Sequence, residues 1–228
     1  MRILALDTAT LTASVAAWIG GAAAASGEAR AETHSEKLLP LVDDVLRRAG
    51  LRPADLDAIA CGAGPGSFTG LRIGLATAKG LCFALGKPLV LVSSLAALAA
   101  GGNTPGALVL AVLDAKKHEV YAGLFDETLG PIGSEVVLPP PQLAGWAGTL
   151  AAGREVVVVG DGILAYPDVA AAAGRVLAGA RGTPDAVAIA RLAADKLTRG
   201  SVAELMTAAP SYIRASEAEI AKPPAGHS

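Results

Sequence analysis

The chain has 228 residues, 52% of them hydrophobic and 18% charged, which suffices for a buried core in one large domain or two small ones. A net charge of −2 and no basic tract speak against a protein that grips nucleic acid by itself, so any nucleic-acid role is expected to run through a partner. Apolar runs are cut by Gly, Pro or charge before the roughly 18 to 20 residues of a membrane-crossing helix, and Asp7 breaks the first run too early for a secretory leader. Two cysteines, Cys61 and Cys82, and three scattered histidines supply neither a disulfide framework nor a zinc set. A cytoplasmic protein without membrane contact is expected.

Arg2 to Leu6 reads as a strand, Asp7 to Thr10 as a polar turn and Ala13 to Trp18 as a second strand. Thr33 and Glu36 have the spacing of a capping box. Behind them Leu38, Leu41, Val42, Val45, Leu46 and Ala49 recur at helical spacing, with Pro40 inside the helix and Gly50 at its end. A short helical turn is expected at Pro53 to Leu56, then a strand at Asp57 to Cys61. The stretch Gly62 to Gly74, GAGPGSFTGLRIG, follows, and Ser67 to Leu85 reads as a helix closed by Gly86. Leu89 to Val92 is a strand, and Ser93 caps a short helix ending at Gly101-Gly102.

Gly101 to Gly106 is the best linker candidate. After it the pattern restarts. Ala107 to Leu113 ends in Asp114 as the first strand ends in Asp7, Ala115 to His118 is a polar turn, and Glu119 to Phe125 is a strand. Ile132 to Leu138 is a third strand, Val156 to Val159 runs into Gly160-Asp161-Gly162, and Thr183 caps a last helix with Pro184 at its first position. A repeated order of elements outweighs any single motif. It predicts an α/β protein of duplicated actin-like or ribonuclease-H-like architecture, with subdomains at 1–102 and 103–228 and a nucleotide cleft between them.

Each candidate site has two readings. Asp7, Thr8 and Thr10 offer hydroxyls and amides to phosphate, and Asp7 a water-bridged Mg²⁺ contact; equally, such residues favour turns and bond their own backbone. Gly64, Gly66 and Ser67 form a loop that lets backbone N–H groups approach an anion at a helix start, with Arg72 adding charge; equally, the loop is a close strand-to-helix packing with Ser67 as N-cap. The stretch is no Walker motif, for no Gly-Lys-Ser/Thr ends it, and Gly64, Gly66 and Gly70 lack dinucleotide spacing. His34 has no partner at i+4. No paired carboxylates, metal cluster or activated nucleophile stand out: catalytic and metal residues are expected to be none.

GAGPGSFTGLRIG closely resembles the signature of the bacterial tRNA threonylcarbamoyladenosine biosynthesis family TsaB (YeaZ). Ile3 to Thr10, His34 to Pro40, Asp114 to Tyr121 and Pro210 to Arg214 agree in order, so the resemblance spans residues 3 to 214. It implies an actin-like ASKHA fold. It also implies a non-catalytic subunit that dimerises with the catalytic paralogue TsaD, which the ATPase TsaE joins, with tRNA met through that complex. TsaD carries a metal-binding His pair on the helix corresponding to residues 33–50; this sequence has only His34 there. The resemblance places the partner contact on the helices at 33–49 and 67–85, through residues such as His34, Leu38, Leu41, Val45, Leu71, Leu75 and Ala78. These residues also suit an ordinary core. No intrinsic cofactor is implied, only ATP or ADP at the partner interface, and the same surface could make a homodimer. The competing expectation is an ATP-dependent small-molecule phosphotransferase of the same fold using Asp7 and the glycine loop.

Overall fold

The computed structural model describes residues 1–30 and 34–213, with the side chains of residues 34 and 35 also outside the description. Thr33 of the expected capping box therefore lies outside the described residues, as does the His34 side chain. In the first half the strands are β1 (Arg2–Asp7), β2 (Thr12–Ile19), β3 (Ala22–Arg30), β4 (Ala58–Gly62) and β5 (Leu89–Val92). Its helices are α1 (His34–Arg48), α2 (Phe68–Leu85) and α3 (Ser94–Ala99). The second half holds β6 (Leu108–Lys116), β7 (Glu119–Phe125), β8 (Val136–Leu138), β9 (Val156–Val159) and β10 (Arg175–Val176). Its helices are α4 (Leu143–Ala151), α5 (Gly162–Ala165), α6 (Pro167–Ala173) and α7 (Ala186–Thr198).

Two five-stranded sheets result, ordered β3-β2-β1-β4-β5 and β8-β7-β6-β9-β10. Read by position, the two orders are the same. In each the first three strands are antiparallel neighbours and the last two join in parallel. The duplication expected from the order of elements is thus a duplication of topology.

Strand β1 is buried on both faces, which explains its near-continuous apolar sequence. Leu4 and Leu6 join Leu38, Val42, Val45, Leu75 and Cys82 under α1 and α2. Ile3 and Ala5 face the other way, toward Trp18, Ile189, Ala190 and Ala193 of β2 and α7. Strand β3 escapes the sequence reading because its Ala-rich run has low strand propensity and it is a half-exposed edge. Gly20 and Gly21, both at positive φ, make the hairpin that fixes its register. Strand β8 is shorter than expected, although Ile132 N still donates to Leu124 O at 2.7 Å.

Two expectations need correction. Asp185, not Thr183, caps α7, its carboxylate accepting from Val187 N at 3.0 Å. Gly101–Gly106 is no loose linker at its start: a Cβ on Gly102 would lie 2.4 Å from Val159 Cγ1. Packing also runs across the 102/103 position. Leu95, Leu98 and Ala99 of α3 are buried against the second sheet with Val109, Leu113 and Val157, whereas α7 returns to cover the first. A free sheet face needs a cover, and the chain supplies this one from the far end of the sequence.

Candidate functional site

The β1–β2 turn and the glycine loop meet. Asp7 and Thr8 are each 0% exposed. Asp7 Oδ2 accepts from Ser94 Oγ at 2.6 Å and Oδ1 from Ala9 N at 2.8 Å. Thr8 Oγ1 donates to Gly70 O at 2.8 Å, and Ser67 N donates to Ala9 O at 2.7 Å. Ser67 Oγ accepts from Gly70 N at 3.2 Å, the N-cap of α2. Thr10 Oγ1 is engaged within its own turn, accepting from Thr12 N at 3.2 Å.

The glycines record how close this packing is. A Cβ on Gly62 would stand 1.8 Å from Asp7 Oδ2, on Gly66 2.4 Å from Ala9 O, on Gly70 2.1 Å from Thr8 O and on Gly74 2.1 Å from Thr8 Oγ1. Gly64 takes φ +98° and precedes a cis peptide to Pro65. The start of α2 packs directly against the protein's own β1–β2 turn. Asp7 and Thr8 are turned inward. Of the seven expected anion-site residues, Ser67 and Arg72 are exposed. Arg72 Nε donates to Tyr212 Oη at 3.1 Å, and its guanidinium lies 3.8 Å from the Phe68 ring centroid.

Cys61, beside this turn, is fully buried; burial and the charge of Asp7 push its thiol well up. Burial also raises Cys82, to about 11. Neither is an activated nucleophile.

The expected partner residues divide. Leu38, Val45, Leu75 and Ala78 are 0 to 5% exposed and belong to the core cluster of the first half, and Leu71 is 2% exposed. Leu41 is half-buried against the same cluster. The large apolar residues exposed on the two helices are Leu39, 54% exposed, Phe83, 80% exposed, and Phe68 at the first position of α2, 37% exposed. The i, i+4 pattern marked the helices correctly, but the apolar stripe it finds is the core stripe by construction.

In the second half Asp114 Oδ2 accepts from Lys116 Nζ at 2.7 Å, and Asp161 Oδ1 accepts from Asp114 N at 2.9 Å. Burial raises the Asp161 pKa. Two cavities of about 270 and 280 Å³ lie around the 181–185 segment, lined by Trp18, Leu98 and Arg191 in one and Ser14 and Glu28 in the other, away from the glycine loop. Among the described residues no three His, Cys, Asp or Glu side chains gather as a metal set. By length and a mean hydropathy of 1.2 over 18 residues, α2 matches a membrane-crossing helix, contrary to the sequence expectation. Here, however, Leu71, Leu75, Ala78 and Cys82 bury one face of it in the core, and Lys79 Nζ is bound by the Met206 and Ala208 carbonyls.

Comparison with known proteins agrees with this geometry. Residues 27–222 match the family model of TsaD, tRNA N6-adenosine threonylcarbamoyltransferase. The chain is 36% identical to the tRNA threonylcarbamoyladenosine biosynthesis protein TsaB of Escherichia coli (strain K12), over 94% of this chain and 95% of that one. It superposes on YeaZ from Pseudomonas aeruginosa with a TM-score of 0.79 at 35% identity, covering 92% of this chain and 100% of the other. A ROK hexokinase from Thermus thermophilus shares the fold alone, at a TM-score of 0.53 and 16% identity over 88% of this chain and 100% of that one, which places the duplicated sheets in the actin-like ASKHA class. With this identity over nearly the whole length of both relatives, the chain belongs to the TsaB (YeaZ) family of tRNA threonylcarbamoyladenosine biosynthesis proteins.

Proposed function

We propose that this chain is the non-catalytic scaffold subunit of the bacterial tRNA threonylcarbamoyladenosine modification complex. It pairs through α1 and α2 with the catalytic TsaD subunit, TsaE joins that pair, and tRNA is met through the assembly. The observation that carries this reading is the closure of the glycine loop on Asp7 and Thr8, both 0% exposed. A phosphotransferase of this fold would need such a carboxylate facing metal and nucleotide, whereas here Ser94 Oγ and Ala9 N occupy it.

Leu39 and Phe83 support the placement of the contact, since large exposed apolar side chains on neighbouring helices suit a helix-on-helix interface. The same face pairs two copies when the partner is absent, because the paralogues share a fold. ATP or ADP, in this reading, is bound by the assembled interface rather than by the lone chain.

Sedimentation of the chain with TsaD from the same organism, with and without ATP and Mg²⁺, tests this. A heterodimer is expected that Leu39→Glu with Phe83→Glu abolishes while the melting temperature holds. Leu41 and Val45 are poor test positions, because charge there attacks the core. Failure to associate at micromolar concentration, with ATP hydrolysis by the lone chain that Asp7→Asn removes, would overturn the scaffold reading in favour of a phosphotransferase.

A further inference from the structure

The main chain leaves the first sheet at Val92 and enters α3, which packs on the second sheet, so Ser93-Ser94 is the crossing point between the halves. The two adjacent hydroxyls reach in opposite directions. Ser94, 0% exposed, donates from Oγ to Asp7 Oδ2 at 2.6 Å and accepts from Gly64 N at 3.2 Å. Its own N–H donates to Gly64 O at 2.8 Å. All three bonds run to the first half.

Ser93 does the reverse. Its Oγ accepts from Ala96 N at 3.1 Å as the N-cap of α3, and donates to Glu135 Oε1. Glu135 stands immediately before β8 in the second sheet, and its Cγ lies against Gly123 of β7. Capping needs only the acceptor function of a serine. The donated proton is therefore a separate feature, and it fastens the crossing to a carboxylate that burial makes costly to charge and the Ser93 hydroxyl helps to hold.

The return crossing, between β10 and α7, differs. Its Arg181 pairs with Glu28, and both side chains are more than 40% exposed, so solvent screens that tie. Ser14 Oγ accepts from Ala186 N at 3.0 Å, which seats α7 on the first sheet without reaching the second.

We propose that Ser93 and Ser94 form a clasp, anchored by Glu135 on one side and Asp7 on the other, that fixes the angle between the two halves. Two-lobed α/β proteins ordinarily close around a ligand by hinge motion. In this chain internal hydroxyl–carboxylate bonds at the hinge itself hold the two halves in a single arrangement. A scaffold with a fixed lobe angle presents α1 and α2 to a partner in one orientation.

The test uses the full chain with spin labels on Asp43→Cys in α1 and Ala172→Cys in α6, both exposed positions, while the native thiols are buried. Pulsed dipolar measurement is expected to give one narrow distance distribution for the otherwise wild-type chain and for Ser93→Thr, which keeps both hydroxyl functions. Glu135→Ala removes the second anchor but leaves the α3 cap. It is expected to broaden the distribution about twofold or add a longer-distance population, with the melting temperature of each half's core retained. A folded Glu135→Ala chain whose distribution overlays the wild type would overturn the clasp. Hydrogen exchange of the unsubstituted chain gives an independent check. The Ser94 and Ala63 amides are expected to exchange only with global unfolding, and their release through a low-cost local opening would equally sink the proposal. No partner enters either measurement, so a negative result here leaves the scaffold reading standing.

Discussion

The β1–β2 turn and the β6–β7 turn occupy the same place in two sheets of identical strand order, yet they treat their carboxylates oppositely. Asp7 is buried and held by neutral donors, Ser94 Oγ and Ala9 N. Asp114 stays partly open and is paired with Lys116, itself on a hairpin whose Lys117 and His118 take positive φ. Both halves place a glycine at the C-terminal end of the strand beside the first, Gly62 closing β4 and Gly160 following β9, for the same steric reason. A Cβ on Gly62 would strike Asp7, and one on Gly160 would stand 2.0 Å from Val112 O. A duplicated topology therefore repeats the tight crossing of strand and loop without repeating the chemistry. What differs is whether a neighbouring helix brings hydroxyls to the carboxylate.

The largest expected effect probes the seal of the first half. Gly70→Ala drives a Cβ to 2.1 Å from the Thr8 carbonyl oxygen and should cost about 3 kcal/mol or more in urea unfolding. Gly80→Ala, in the same helix with nothing within 4 Å of the new Cβ, should be neutral or stabilising by up to about 1 kcal/mol. Equal effects would mean that the loop and turn are not in contact.

Next comes the contrast between the carboxylates. Asp7→Ala strands the Ser94 hydroxyl and Ala9 N–H in a buried site and should cost about 2–4 kcal/mol. Asp114→Ala, at a partly solvated ion pair, should cost less than about 1 kcal/mol. A reversal of that order breaks the comparison.

The second half should instead show its character in pH dependence. Burial raises the Asp161 pKa, against the lowering effect of the Asp114 N–H bond. Between the ordinary Asp value, roughly 3.9, and that raised value, the folded state binds more protons than the unfolded one. Stability should therefore fall as pH rises through that window, and Asp161→Asn should flatten the slope. Asp114 has the opposite sign. Burial opposes its charge, but Lys116 outweighs burial and lowers its pKa, so its contribution is present above about pH 3.9 and is lost as pH falls through the folded value. The smallest effect concerns the thiols. Cys61 and Cys82 should both stay silent to an aqueous disulfide reagent until unfolding.

Much of this was legible in the residues. Ser67 was readable as an N-cap, the strands ending at Asp7 and Asp114 were readable as a repeat, and the glycine stretch carried the family resemblance. Strand β3 was not, because alanines carry little strand signal; the Gly20-Gly21 pair was the cue available. Sequence spacing also could not divide core from surface on α1 and α2. Leu38 and Val45 share the stripe that faces the sheet, and Leu39 and Phe83 stand outside it.

The sequence by itself determined the duplicated α/β order, the Ser67 and Ser93 caps and the turns, since these rest on local periodicity and on the backbone preferences of Gly, Pro, Ser and Asp. Only the tertiary structure decided that Asp7 faces Ser94 from 87 residues away and that α7 covers the first sheet. It alone decided that the glycine loop packs on the β1–β2 turn. Those outcomes depend on which distant groups share a small buried volume, and no local pattern along the chain records that.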